Sequence, residues 1–201
     1  IGDMNDIEKK IEEADSYPII KVKLGTLSMD KKIIKEIRRC TDKPIRVDAN
    51  EGWEEENAIS LCNWLVDQNV VLIEQPFPAE KLELTSKLRK ISPIDIYADE
   101  NSVTSKDIPI IQHAFDGINI KLMKCGTLEE ADKMITISKK YGLKVMLGCM
   151  VETSVGVTAI SQLAGKVDCL DLDGNLLINN DPYKGVRVEN GKMILPKLNG
   201  L

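Results

Sequence analysis

A single histidine, His113, is present among 201 residues, and that scarcity removes two chemistries. A Ser-His-Asp relay and a histidine-based zinc centre both have too little to work with. The cysteines, Cys40, Cys62, Cys125, Cys149 and Cys169, are odd in number and lack metal-type spacing. They read as reduced cytosolic thiols and not as a disulfide framework. No apolar run approaches the roughly 20 residues that span a bilayer, and no signal-peptide pattern opens the chain, so no membrane partner and a cytoplasmic setting are expected. No basic cluster is paired with aromatics and the net charge is −5, which argues against nucleic acid as a partner. Low-complexity segments and internal linkers are lacking too. What remains, 43% hydrophobic and 29% charged residues, suits a globular chain of about one domain.

Against that plain background, Asp48, Glu74 and Asp99 recur at almost equal intervals, the first interval longer than the second by a single position. Each ends a short apolar run: Pro-Ile-Arg-Val before Asp48, Val-Val-Leu-Ile before Glu74, and Asp-Ile-Tyr-Ala before Asp99. A period of about 25 residues holds one strand, one helix and the short loops that join them. Each carboxylate therefore falls where a β/α unit ends its strand. In a parallel barrel such ends converge on one mouth, where the chemistry of that fold is found. Three carboxylates crowded there repel one another unless a cation sits between them. Oxygen-only donors of that charge suit one Mg²⁺, or Mn²⁺, rather than zinc.

Lysines keep the same phase. Lys23 stands one such period before Asp48, and Lys21, two positions earlier, shares its strand face. Lys121, in Ile-Asn-Ile-Lys-Leu, follows Asp99 at a slightly shorter interval, late in another apolar run. Charges inside a barrel are costly unless paired, and lysines facing carboxylates and a dication satisfy that need. The plainer alternative is solvated lysines on edge strands.

Strand-like runs fall at about 17–24, 44–48, 70–75, 95–98, 117–122, 144–150 and 168–172. Most are nearly continuous apolar stretches, as strands covered on both faces require. Between them Ile33, Ile34 and Ile37 share a helical face, as do Ala58, Leu61, Cys62 and Leu65. Thr127 with Glu130 predicts a capping box, and Gly142 closes that helix after Tyr141. Strands alternating with helices at so short a repeat predict a (β/α) barrel. Such a barrel needs eight strands, so Ile1-Gly2-Asp3 is expected to be the tail of the first, followed by a helix at about 6–14. The chain is then expected to start inside a larger protein, or to have had its preceding part lost or left out. Residues 175–201 read as a loop-rich tail with Asn-Asp-Pro, Glu-Asn-Gly and Leu-Asn-Gly turns, running back over the barrel or toward a missing domain.

Taken in order, Lys21-Val22-Lys23, Val47-Asp48-Ala49-Asn50 with Gly52-Trp53, Ile73-Glu74-Gln75-Pro76, Ala98-Asp99-Glu100 and Asn119-Ile120-Lys121 resemble the muconate-lactonizing subgroup of the enolase superfamily. Within it, Asp171-Leu172-Asp173, the run 118–124 and Gly148-Cys149-Met150-Val151-Glu152-Thr153 are similar to the dipeptide epimerases, typified by L-Ala-D/L-Glu epimerase. The resemblance implies a (β/α)₇β barrel plus an N-terminal α+β capping domain. Residues 1–201 would then be the C-terminal catalytic barrel domain, strands two to eight plus a tail, without the cap and most of the first strand.

The chemistry implied is removal of a proton α to a carboxylate and its return on the opposite face. Asp48, Glu74 and Asp99 would hold Mg²⁺, which neutralises the charge developing on the substrate carboxylate. Lys23 and Lys121 would be the two acid–bases, one for each face. Lys21 would help bind the substrate carboxylate, or else be a salt-bridge partner of the metal carboxylates. Asp171 and Asp173 would receive the ammonium of a dipeptide, the small-molecule partner, unless Asp173 is simply a turn cap before Gly174. Glu100 and Asn50 would support the metal ligands from behind, Asn50 orienting Asp48 or a water. Glu152 would bond near the mouth or begin a helix. Cys149 reads as a packed residue, with no histidine to activate it, and Trp53 as packing behind the third strand. A homo-oligomer is the expected assembly. The alternatives are an o-succinylbenzoate synthase, an N-succinylamino acid racemase, a muconate cycloisomerase, a Schiff-base lyase at Lys121, and an inactive barrel fragment with a scaffold role.

Overall fold

The computed structural model describes residues 6–26, 28–189 and 191–196. The chain divides into two compact units, Ile1–Asn101 with His113–Asp116, and Ser102–Gln112 with Gly117–Leu201. The expected strand tail at Ile1-Gly2-Asp3 and the Leu-Asn-Gly turn lie outside the described residues.

The first unit alternates α1 (Ile7–Glu13), β1 (Ile20–Lys23), α2 (Asp30–Cys40), β2 (Ile45–Asp48), α3 (Glu55–Asp67), β3 (Val70–Glu74), α4 (Leu82–Arg89) and β4 (Ile96–Ala98). Its four strands pair in parallel in chain order. The two helical faces read from the sequence are the buried ones: Ile33, Ile34 and Ile37 on α2, and Ala58, Leu61, Cys62 and Leu65 on α3. Trp53 is buried as expected.

In the second unit come α5 (Ile108–Ile111), β5 (Gly117–Lys121), α6 (Leu122–Cys125), α7 (Leu128–Lys140), β6 (Lys144–Gly148), α8 (Ser154–Ser161) and β7 (Cys169–Asp171). β5, β6 and β7 pair in parallel, and α7 lies on β5 and β6. At its start Thr127 Oγ1 accepts the Glu130 N–H at 3.0 Å, which is half of a capping box. The other half is absent, because Glu130 Oε1 accepts the Ser105 N–H at 2.7 Å instead. At its end Gly142 takes φ +72°, and the N–H groups of Leu143 and Gly142 reach Ser138 O and Lys139 O, closing the helix in a Schellman turn.

The segment expected to be loop contains more order than that. A short antiparallel pair, β8 (Arg187–Glu189) and β9 (Lys192–Ile194), occupies it. Asp181 Oδ2 accepts the Ser154 N–H at 2.6 Å, and the Val186 N–H reaches Thr158 Oγ1 at 2.7 Å. Hydrogen bonds from distant positions therefore pin this segment to the first turns of α8.

Register decides which side chains meet at the strand ends. Lys23 pairs with Asp48, and Asp48 pairs with Glu74. The second pairing depends on an irregularity: Ile45 faces Val70 but Arg46 faces Leu72, so Val71 is passed over. A one-residue slip turns a side chain to the opposite face, and an extra residue in one strand is the usual way to absorb it. The extra position in the interval between Asp48 and Glu74 is taken up at Val71. In the second unit Lys121 pairs with Gly148, and Gly148 with Asp171.

Gly25 follows β1 at φ +104°, and a Cβ there would stand 2.3 Å from Ala49 O. Both the conformation and the backbone contact exclude a side chain. Gly25→Ala is expected to lower the unfolding free energy by about 2–4 kcal/mol in urea titrations. A loss under about 0.5 kcal/mol, the range of an ordinary surface change, would show that the contact yields freely.

Candidate active site

Asp48, Glu74 and Asp99 are all buried at the C-terminal ends of β2, β3 and β4. Asp48 and Glu74 sit in one register row with Lys23, and Asp99 follows β4 directly. Lys21 Nζ lies 2.9 Å from Glu74 Oε2 and 3.5 Å from Asp48 Oδ2, so one ammonium bridges two carboxylates. Lys23 Nζ lies 3.5 Å from the same Asp48 oxygen and donates to Asn50 Oδ1 at 3.2 Å. The two lysines differ in access: the Lys23 side chain is 59% exposed and that of Lys21 25%. Of the two roles open to Lys21 from the sequence, the salt bridge is the one seen directly.

Burial pushes the Glu74 carboxyl above the ordinary carboxylate range; Lys21 opposes this, and the charges of Asp48 and Asp99 reinforce it. Glu100 is raised likewise, by burial first and then by Asp99, Asp48 and Glu51. Among the described residues Glu100 Oε2 is buried with no hydrogen-bond partner, and the charges of Asp99 and Asp48 put Glu100 in the same field as the metal-type carboxylates. The Asn50 N–H donates to Asp48 Oδ1 at 3.1 Å.

This donor set fits a hard divalent cation: three buried carboxylates, no nitrogen or sulfur donor, and mutual repulsion felt at Glu74. As they stand, no three acidic, histidine or cysteine side chains among the described residues are gathered closely enough to enclose a metal ion. Asp48 and Glu74 close on the Lys21 ammonium instead.

The second unit carries its own cluster. Lys121 is 7% exposed and ends β5, in one row with Gly148 and Asp171. Side-chain space between them is filled from β5, since a Cβ on Gly148 would stand 2.3 Å from Asn119 Oδ1. Leu172 is buried, Asp171 is half-buried and Asp173 is exposed. β7 ends at Asp171, and Asp173 stands at the start of a 3₁₀ turn over Gly174–Leu177, the turn-cap position. Cys149 Sγ donates to Asp171 O at 3.3 Å and accepts the Gly174 N–H at 3.2 Å. Burial pushes this thiol up to about 11, against the pull of Gly174, with Asp171, Asp173 and Glu152 adding to the rise. It is a packed group with negative charges nearby. Glu152 precedes α8 and accepts the Met150 N–H at 3.2 Å, and burial raises its carboxyl.

A separate cleft of about 710 Å³ lies on α1 and α2, lined by Glu8, Glu12, Glu36, Arg39 and Cys40 among others. It touches none of the strand-end residues. Among the described residues, no helix is long and apolar enough to cross a membrane.

Residues 6–201 match the family model described as "Enolase C-terminal domain-like". The chain belongs to that family. Its parallel β/α units are accordingly those of the (β/α)₇β barrel domain of the enolase superfamily. The L-Ala-D/L-Glu epimerase of Bacteroides thetaiotaomicron is 47% identical over 194 residues, covering 96% of this chain and 50% of that protein. An N-acetyl-D-glutamate racemase from a Pseudoalteromonas species is 35% identical over 192 residues, 94% of this chain and 60% of that protein. Among solved structures, the dipeptide epimerase of Methylococcus capsulatus complexed with Mg and L-Arg-D-Lys superposes with a TM-score of 0.91 at 28% identity. That match covers 98% of this chain and 59% of the other. The chain thus spans about half the length of the curated relatives it matches.

Gln75 lies within the motif that carries the resemblance, yet nothing in its residue type marks the structural role it takes. The only sequence signal is its place between Glu74 and Pro76.

Proposed function

We propose that this chain supplies the catalytic residues of a dipeptide epimerase, a metal-dependent isomerase that inverts the carbon α to a carboxylate. The observation supporting it most strongly is the row Lys23–Asp48–Glu74, with Asp99 following β4 and the Lys21 ammonium set between Asp48 and Glu74. Mg²⁺ held by Asp48, Glu74 and Asp99 would neutralise the negative charge that develops on the substrate carboxylate. Lys21 competes for the same carboxylate oxygens and, once released from them, pairs with that substrate carboxylate. Lys23, the exposed lysine, takes the α-proton from one face, and Asn50 Oδ1 steadies its ammonium. Lys121 serves the other face, since inversion needs acid and base on opposite sides. Asp171 and Asp173, with Glu152 adding to their field, receive the substrate ammonium. In this reading the protein is a cytoplasmic homo-oligomer, and Mn²⁺ substitutes for Mg²⁺. A dipeptide library incubated in D₂O, with α-deuterium read by mass, tests the function. No incorporation into any free dipeptide would rule it out.

The second reading, an N-acylamino acid racemase, is favoured by the N-acetyl-D-glutamate racemase among the relatives. The two differ at Asp171 and Asp173. For a dipeptide epimerase, Asp171→Asn with Asp173→Asn is expected to raise KM for free dipeptides about tenfold or more, the scale of a lost charge-assisted contact. Magnesium affinity should barely change. N-acetylated dipeptides should be poor substrates for the parent and lose little more in the variant. Equal turnover of free and N-acetylated dipeptides by the parent would transfer the assignment to the racemase.

A further inference from the structure

Gln75 is fully buried and lies at φ +39°, in the left-handed region that a side chain disfavours. It stands directly before Pro76, which narrows the backbone further. An outlier of this kind persists only where its surroundings over-determine it. They do so here through hydrogen bonds to every polar group the residue has. The Gln75 N–H donates to Tyr97 O on β4, and Gln75 O accepts the Glu51 N–H of the loop after β2, each at 2.9 Å. Its side-chain Oε1 accepts the N–H groups of Asp99 at 3.0 Å and Asn101 at 3.4 Å. Its Nε2 donates to Phe77 O at 2.9 Å and Asn101 Oδ1 at 2.6 Å. The amide orientation is set by backbone groups of fixed polarity, Phe77 O and Asp99 N–H, so it is not an interchangeable flip.

The consequence lies in what those bonds join. Gln75 immediately follows Glu74, fixes the backbone at Asp99, and holds the loop that leaves Asp48. Asn101 extends the web by donating from Nδ2 to Ala79 O at 2.9 Å, and Glu51 Oε1 accepts the Ala79 N–H at 2.7 Å. One residue therefore ties together the three chain segments that bear the three carboxylates. Neither Gln75 nor Asn101 contributes a charge to the carboxylate set.

We propose that Gln75 is a positioning residue for the cation site, setting the mutual spacing of Asp48, Glu74 and Asp99 by cross-linking the loops after β2, β3 and β4. This rests on the reading of those carboxylates as the metal ligands. Methionine keeps the length of glutamine and removes its hydrogen bonds, so Gln75→Met deletes the side-chain ties. Asn101→Ala, at a half-buried position, removes one partner with less risk to folding. Calorimetric titration with Mg²⁺ is expected to show each variant weaker than the parent by roughly tenfold or more, the scale for groups that orient ligands. Thermal midpoints in EDTA, measured alongside, report the purely structural share. Midpoints that fall while Mg²⁺ affinity stays at the parental value would overturn the positioning role and leave the metal reading intact. A parent chain that binds no Mg²⁺ would overturn both. Should Gln75→Met fail to fold, Asn101→Ala decides by the same comparison.

Discussion

Lys121→Ala is expected to abolish epimerisation, by at least about 10³-fold, within the range that a positioned acid–base contributes. Lys121 ends β5 and is 7% exposed, so its ammonium is held in a protected position and not left to solvent. With one of the two proposed bases removed, the other would still take and return a proton on its own face. The variant should therefore exchange the α-proton of one epimer with D₂O through Lys23 while forming none of the other epimer. Lys23→Ala should show the mirror pattern through Lys121. Mass spectrometry reads the exchange and chiral separation reads the epimers. Lys121→Met, which keeps the reach of the side chain and removes its charge, controls for packing. Epimerisation at the parental rate in Lys121→Ala would end the two-base mechanism.

Glu74→Gln is expected to keep the fold and weaken Mg²⁺ binding by at least roughly 100-fold. Removing a ligand's charge should cost more than removing the groups that merely orient ligands, which are worth about 10–100-fold. Glu74 is the residue to change because it feels all of its neighbours: burial, Lys21, Asp48 and Asp99 act on its carboxyl together. Glutamine fills the same space and can still accept a hydrogen bond from the Lys21 ammonium, now 2.9 Å from Glu74 Oε2. Calorimetry on the two proteins gives the ratio, and equal affinities would remove Glu74 from the ligand set.

Much of the fold was legible in the sequence. All seven apolar runs became strands within a few residues of their expected limits, because strands covered on both faces need continuous apolar side chains. The helical faces of α2 and α3 were legible because burial on one side imposes a helical period on the apolar residues. Local chemistry was less complete as a guide. Thr127 caps α7, but Glu130 found a better partner in the distant Ser105 than in its own helix start. The tail looked like loop because its strands are three residues long, too short for periodicity to register. Its anchors, Asp181 to Ser154 and Val186 to Thr158, are contacts between positions far apart in the chain.

By itself, the sequence determined which residues end strands. Lysines and carboxylates placed at a nearly constant period, each after an apolar run, fall at the same end of successive β/α units because the repeat is one strand and one helix long. Tertiary structure alone decided which of them stand level. The longer interval would have turned Glu74 to the face opposite Asp48 had pairing run on evenly, and passing over Val71 brought the two carboxylates into one row. It also decided that Lys21 reaches both of them while Lys23 stays open to solvent, and that Gln75 joins three loops through a backbone conformation its residue type disfavours. Those outcomes depend on pairing between segments a full β/α unit apart, and such pairing is settled by competition among many contacts at once, which no local pattern records.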